Sequence, residues 1–121
     1  MVEGPVDPDQ VVLLTRGELS SSLSIFVQGR AVLRTPAPFG DGVRCIGGLL
    51  KKLGAKVAVA GAARYPEAGD PSISARSATL GDPIDPGTFR YYQGWYRDPD
   101  PAFCSPPPAT FNASNAVMVR W

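Results

Sequence analysis

The densest set of groups able to bind or react lies in FRYYQGWYRDPDPAFC, residues 89–104. It holds Arg90, Tyr91, Tyr92, Trp95 and Tyr96, and then Asp98, Asp100 and Cys104. Rings two apart on an extended strand project to one side, about 6.5–7 Å apart. That spacing suits successive contacts with the sugar rings of a polysaccharide. Arg90, Tyr92, Trp95 and Tyr96 are therefore the candidate ligand-binding residues. Tyr92 and Tyr96 share a face, and Trp95 joins them if it lies near an edge. Plain packing offers the competing expectation: alternation puts Phe89, Tyr91, Gln93 and Trp95 on a buried face and Arg90, Tyr92, Gly94 and Tyr96 on a half-exposed one. Gly94 interrupts the strand and marks a bulge that would re-aim its neighbours.

The acids offer less. Asp98 and Asp100, with Asp82 and Asp85, could contribute to an oxygen-rich calcium loop. Each of the four is followed by proline, however, and Asp-Pro is ordinary turn-initiating chemistry. Asp98 and Asp100 stay as weak calcium candidates, and no cofactor is expected. A carboxylate pair for glycoside hydrolysis could draw on Glu18, Glu67 or these aspartates, but nothing in the pattern places two in a cleft. Among 121 residues there is no histidine, which removes Ser-His-Asp and Cys-His catalysis and most zinc and copper sites. The chain is accordingly read as non-enzymatic.

Cys45 and Cys104 are the two cysteines. They form no CxxC pair, so a redox or zinc motif is unsupported. The alternatives are one structural disulfide or two buried thiols. A disulfide closing roughly 60 residues would contribute about 4 kcal/mol in the chain-entropy account and would imply an oxidising compartment. Arg44, beside Cys45, is expected to pair with Asp98. The NAS sequon at 112–114 is read as turn or edge structure, because so short a pattern recurs by chance.

Twelve basic residues, scattered against eleven acidic ones, give a formal charge of +1 without the stripe that nucleic acid requires. No apolar run approaches the 20 or so residues of a membrane span, so neither nucleic acid nor membrane insertion is expected. The opening MVEGPVDPDQ lacks the basic and apolar regions of a leader. We read residues 1–10 as a flexible lead-in, residues 11–121 as a single domain, and the whole as part of a longer protein.

The elements that must position these groups are short. VVLLT (11–15), SSLSIFV (21–27), AVLRT (31–35), Val43 to Ile46, SISARSAT (72–79), TFRYYQGWYR (88–97) and the terminal residues Val117, Val119 and Trp121 read as strands. TPAPFGDG, ARYPEAGDP and LGDPIDPG read as turns or loops, with strands kept free of proline. Residues 48–60 stay open between strand and helix. Alternation with regular Gly and Pro punctuation predicts an all-β antiparallel β-sandwich, jelly-roll or immunoglobulin-like in topology, with at most short helical turns.

FGDGVRCIGG with KKL, then SISARSATLGD and PGTFRYYQGWYRDPDPAFC, then TFNASNAVMVRW, resembles an uncharacterised C-terminal module. Such modules occur in large secreted or surface proteins of Planctomycetes and Myxobacteria. The resemblance covers roughly residues 20–121, and the chain departs from it at Gly94-Trp95. It implies secretion, a β-rich fold, pairing of Cys45 with Cys104 and a place at the end of a longer bacterial polypeptide. The function expected is structural or adhesive interaction with neighbouring protein subunits outside the cell, with carbohydrate binding through residues 89–96 as the alternative.

Overall fold

A computed structural model of the chain describes residues 2–3, 10–17, 22–39, 42–97 and 111–121. The strands are β1 (Val2–Glu3), β2 (Leu13–Thr15), β3 (Leu23–Gly29), β4 (Ala31–Phe39), β5 (Gly42–Gly47), β6 (Lys51–Val57), β7 (Ala63–Tyr65), β8 (Phe89–Arg97), β9 (Phe111–Ala113) and β10 (Val117–Arg120), with one helix, α1 (Ile73–Thr79). A central sheet runs β1-β10-β8-β3-β6, with β9 also on β8. Two ribbons, β2-β7 and β4-β5, accompany it. All the pairings are antiparallel except β1 with β10. The predicted all-β antiparallel class is the observed one.

The two halves of the last segment share one edge of β8. β10 pairs with its first half (Val117 opposite Tyr92) and β9 with its second (Trp95 opposite Ala113). Between them the chain leaves the ladder, held by Ser114 N–H donating to Gly94 O at 2.8 Å.

Both faces of the sheet are covered, and consecutive residues of β8 show it. Gln93 points to β5, its Oε1 accepting from Cys45 N–H at 3.2 Å. Gly94 points to β2, where an added Cβ would stand 2.6 Å from Thr15 Cγ2. β7 approaches β6 in the same way, since a Cβ on Gly54 would meet the Tyr65 ring at 2.7 Å. Glycine at 54 and 94 lets the β2-β7 ribbon lie directly on the sheet.

Burial between two ribbons changes the simple alternation expected for β3. Leu23 is exposed while Ser24, Phe26, Val27 and Gln28 are buried, because a central strand covered on both sides has no solvent face. The principal core joins Phe26, Leu53, Tyr65, Ile73, Tyr92, Val119 and Trp121. Trp121, read as part of the last strand, follows β10 instead, and its N–H donates to Thr88 O at 2.9 Å.

Three expectations need correction. Residues 72–79 are a helix and not a strand. Ser72 caps it, its Oγ accepting from Ala75 N–H at 3.2 Å, a standard use of serine at a helix start. Ile73 and Ser77, the helix's buried residues, are four apart, so the real period was 3.6. Ala75, between them, is exposed. β4 runs through Pro36 and Pro38 to Phe39, inside the expected turn cluster; proline is tolerated on a strand that, among the described residues, pairs only with β5. The loop read at 63–71 begins with β7. The open question at 48–60 resolves as strand β6.

Candidate functional site

β8 is covered on both of its predicted faces. Tyr92 is 1% exposed and Arg90 8%, while Gln93 on the other face is 3% exposed, so the Arg90, Tyr92, Gly94 face is buried as well as the one expected to be. Neither side chain presents a surface to a sugar, which corrects their assignment as ligand-binding residues. Trp95 and Tyr96 are half-buried. As neighbours on one strand they project to opposite faces, and with Tyr92 buried the expected Tyr92–Tyr96 platform lacks its first ring. Phe89, expected inside, is exposed. The burial of Arg90 and Tyr92 follows from what β8 must carry: a cation and a phenol that both belong to an internal network.

That network centres on Asp82, which is fully buried. Arg90 grips its carboxylate with two parallel bonds, Nε to Oδ2 and Nη2 to Oδ1, both 3.0 Å. Arg30 donates from Nε to Oδ1 at 2.9 Å and also from Nη2. Gln28 Nε2 adds a bond to Oδ2 at 3.0 Å and another to Ser77 Oγ at 2.8 Å. Ser77 Oγ in turn donates to the Asp82 carbonyl. Tyr92 Oη donates to Gln28 Oε1 at 2.9 Å and accepts from Trp121 Nε1 at 3.1 Å. One carboxylate thus ties together β3, the start of β4, α1, the 80–88 loop and β8.

Burial alone would push the Asp82 carboxyl up, yet hydrogen bonds and charge from Arg90 and Arg30 outweigh it. They hold the group below its ordinary range, the outcome expected for a carboxylate beside guanidinium groups. Arg30, half-exposed, is raised by its bond to Asp82. Every oxygen of Asp82 is occupied by a donor of the chain itself, so this acid is structural. Among the described residues no group of three or more His, Cys, Asp or Glu side chains could hold a metal.

A second charged group lies at the surface. Lys56 Nζ stands 2.5 Å from Asp70 Oδ2, 3.4 Å from Glu67 Oε1 and 5.9 Å from the centre of the Tyr65 ring. The bond to Asp70 is the main reason the lysine is raised and the aspartate lowered.

The open space is elsewhere. A groove of about 440 Å³ runs between β2 and the β8-β10 side of the sheet. Phe26, Tyr92 and Val119 back it from the sheet but are only 1% exposed each, so its open surface comes from β2, Val117 and the 114–115 turn. Val12, Leu14 and Val117 on its walls are 52, 44 and 36% exposed. Arg16 is its only charged lining residue among those described. A smaller concavity of about 160 Å³ lies on the other side of Leu14, bordered by Val57 and Val59. Exposed apolar side chains therefore continue across the outer surface of β2.

Cys45 is half-buried on β5, while Cys104, Asp98 and Asp100 lie outside the described residues. The disulfide, the Arg44–Asp98 pair and the calcium candidates fall there with them. Sequence reasoning missed both the Asp82 network and the groove. Asp82 looked like one more Asp-Pro turn, and its partners stand 52 and 8 residues away. Comparison of the chain with protein-family models, curated proteins and solved structures finds no match.

Proposed function

We propose that this chain is a non-enzymatic interaction module with a structural or adhesive role, working outside the cell as part of a longer surface protein. The observation that carries the reading is the contrast between its two polar and apolar features. The buried charged groups are spent on one another around Asp82, whereas the groove beside β2 is walled by exposed valines and leucine. Single exposed apolar residues are ordinary, but a contiguous set around a concavity marks a place where another molecule is covered. The groove's lining contains no carboxylate, lysine or cysteine among the described residues, so its chemistry is that of binding.

The extracellular setting rests on the sequence resemblance, and pairing of Cys45 with Cys104 is part of the same proposal. Carbohydrate binding is the alternative. With Tyr92 inside, it would rest on Tyr91 and Trp95, which share a face about 13 Å apart.

The test is retention of the purified domain on isolated bacterial cell envelopes, comparing the unaltered chain with Val117→Glu. The variant places a charge on the groove wall at an exposed residue that makes none of the side-chain bonds of the Asp82 network. Loss of retention with an unchanged melting curve supports the module reading; equal retention contradicts it. A glycan array decides the alternative, which requires binding that disappears in Trp95→Ala.

A further inference from the structure

We propose that Arg30 and Lys51 form a binding site for a phosphate group on the surface beside Asp82, with the buried carboxylate holding Arg30 in position. Neither residue lines the groove beside β2, so the inference goes beyond the interaction reading and does not depend on it.

The first observation is an excess of charge. Asp82 carries a single negative charge, and Arg90, whose side chain is 9% exposed, already grips it with two bonds. A second guanidinium is more than the buried carboxylate needs. Arg30 is nevertheless held there, and its side chain is 48% exposed, so the surplus positive charge sits at the surface.

The second is the edge that Arg30 presents. A guanidinium is planar and carries five N–H donors. Nε and one proton of Nη2 face Asp82 Oδ1. Nη1 and the other Nη2 proton lie on the adjoining edge of the plane, directed away from that carboxylate. Such an edge offers parallel donors at the spacing of two oxygens of one oxyanion. Among the described residues the bonds of the Arg30 side chain are those to Asp82. The edge is also fixed in advance. Arg30 N–H donates to Gly47 O at 3.1 Å and Asp82 holds the far end, so little rotamer freedom remains to be lost on binding.

The third is another cation on the same side. Lys51 stands opposite Gln28 in the β3-β6 ladder, and directly opposed residues share a face. Gln28 bonds to Asp82 Oδ2, and Lys51 Nζ lies 4.0 Å from the point where Gly81 would carry a Cβ. The ammonium therefore borders the loop residue just before Asp82. Lys51 takes part in none of the ion pairs among the described residues, and neither does Asp85, the other acid of that loop. Arg30, Arg90 and Lys51 set against Asp82 leave two positive charges, which suits a phosphate dianion better than a singly charged carboxylate.

The test follows the arginine Nε–Hε and backbone amide signals of the intact chain by nitrogen-15 NMR. Titrations run at constant ionic strength, above the second pKa of phosphate of about 6. The probes are inorganic phosphate, glycerol phosphate and acetate. Inorganic phosphate is expected to shift the Arg30 Nε–Hε signal and the amides of Arg30 and Gly81 saturably, and to bind at least about tenfold more tightly than acetate. Arg30→Lys keeps a cation for Asp82 but has no second edge, and should lose about tenfold or more in phosphate affinity. Lys51→Ala should weaken phosphate binding at least about threefold with the melting curve unchanged, an effect that a purely structural role of Arg30 would not produce. Glycerol phosphate binding as tightly as the free ion assigns the site to phosphate esters, and binding of the free ion alone assigns it to inorganic phosphate; both support the proposal. No saturable shift, equal binding of phosphate and acetate, or undiminished binding by Arg30→Lys or Lys51→Ala would overturn it.

Discussion

Replacing Asp82 with Asn tests the internal network with almost no change of volume. The amide can still accept from one neighbour, but it removes the negative charge between Arg90 and Arg30. Arg90 keeps a side chain only 9% exposed and is left as a buried cation without its counter-charge. Breaking a buried pair from one side costs about 3–5 kcal/mol, and the residual hydrogen bonding of the amide places this case near 3. Against a total stability of about 5–15 kcal/mol for a domain, that is a severe loss. With a urea slope of about 1.5 kcal/mol/M, the midpoint falls by about 2 M. The assay is urea unfolding followed by tryptophan fluorescence, with Asp85→Asn as the exposed control. A midpoint shift below about 0.5 M, worth under 1 kcal/mol on the same slope, would refute the claim that Asp82 organises the core.

The same carboxylate predicts the acid limit of the fold. Its folded pKa lies below the unfolded value of about 3.9, so its contribution is complete above that value and is lost as pH falls through the folded pKa; unfolding between neutral pH and 5 in a titration followed by circular dichroism would count against it. Tyr92→Phe removes the donor to Gln28 Oε1 and the acceptor of Trp121 Nε1, with an expected cost of about 1–3 kcal/mol for the groups left unsatisfied, read by the same urea melts. Gly94→Ala drives a methyl against Thr15 Cγ2 and should destabilise by about 1–3 kcal/mol, with Thr15→Ser restoring part of the loss; no recovery in the double variant would place the strain elsewhere. If Cys45 and Cys104 are bonded, the intact mass is two hydrogens short of the fully reduced chain and reductant lowers the melting temperature, for a loss of about 4 kcal/mol; an intact mass showing both thiols would remove that support for an extracellular home.

The class of fold was legible because turn residues and alternation are local signals. The strand at 88–97 and the strands on either side of residues 28–30 follow from neighbours in sequence. The faces of β3 and β8 were not legible, because a strand covered on both sides gives no polar face to read. Residues 72–79 fit a period of 2 and a period of 3.6 about equally over so short a length. The choice fell to the cap at Ser72 and to the packing of Ile73 and Ser77 against the core. The chemistry of the site was least legible of all. Whether an aspartate before proline serves a turn or a buried clip depends on which arginines the fold brings to it, and Arg30 and Arg90 arrive from two different strand ends.

The central claim is the proposal that the groove bordered by residues 11–16 is the surface through which the module interacts. Amide hydrogen exchange of the chain, free and retained on cell envelopes, read residue by residue, tests it most directly. Amides within residues 11–16 should exchange more slowly in the retained chain, while β3 and β8 are protected to near the global stability in both. Unchanged exchange along residues 11–16 in the retained chain would place the contact elsewhere, and the account of an interaction module working through that groove would be wrong.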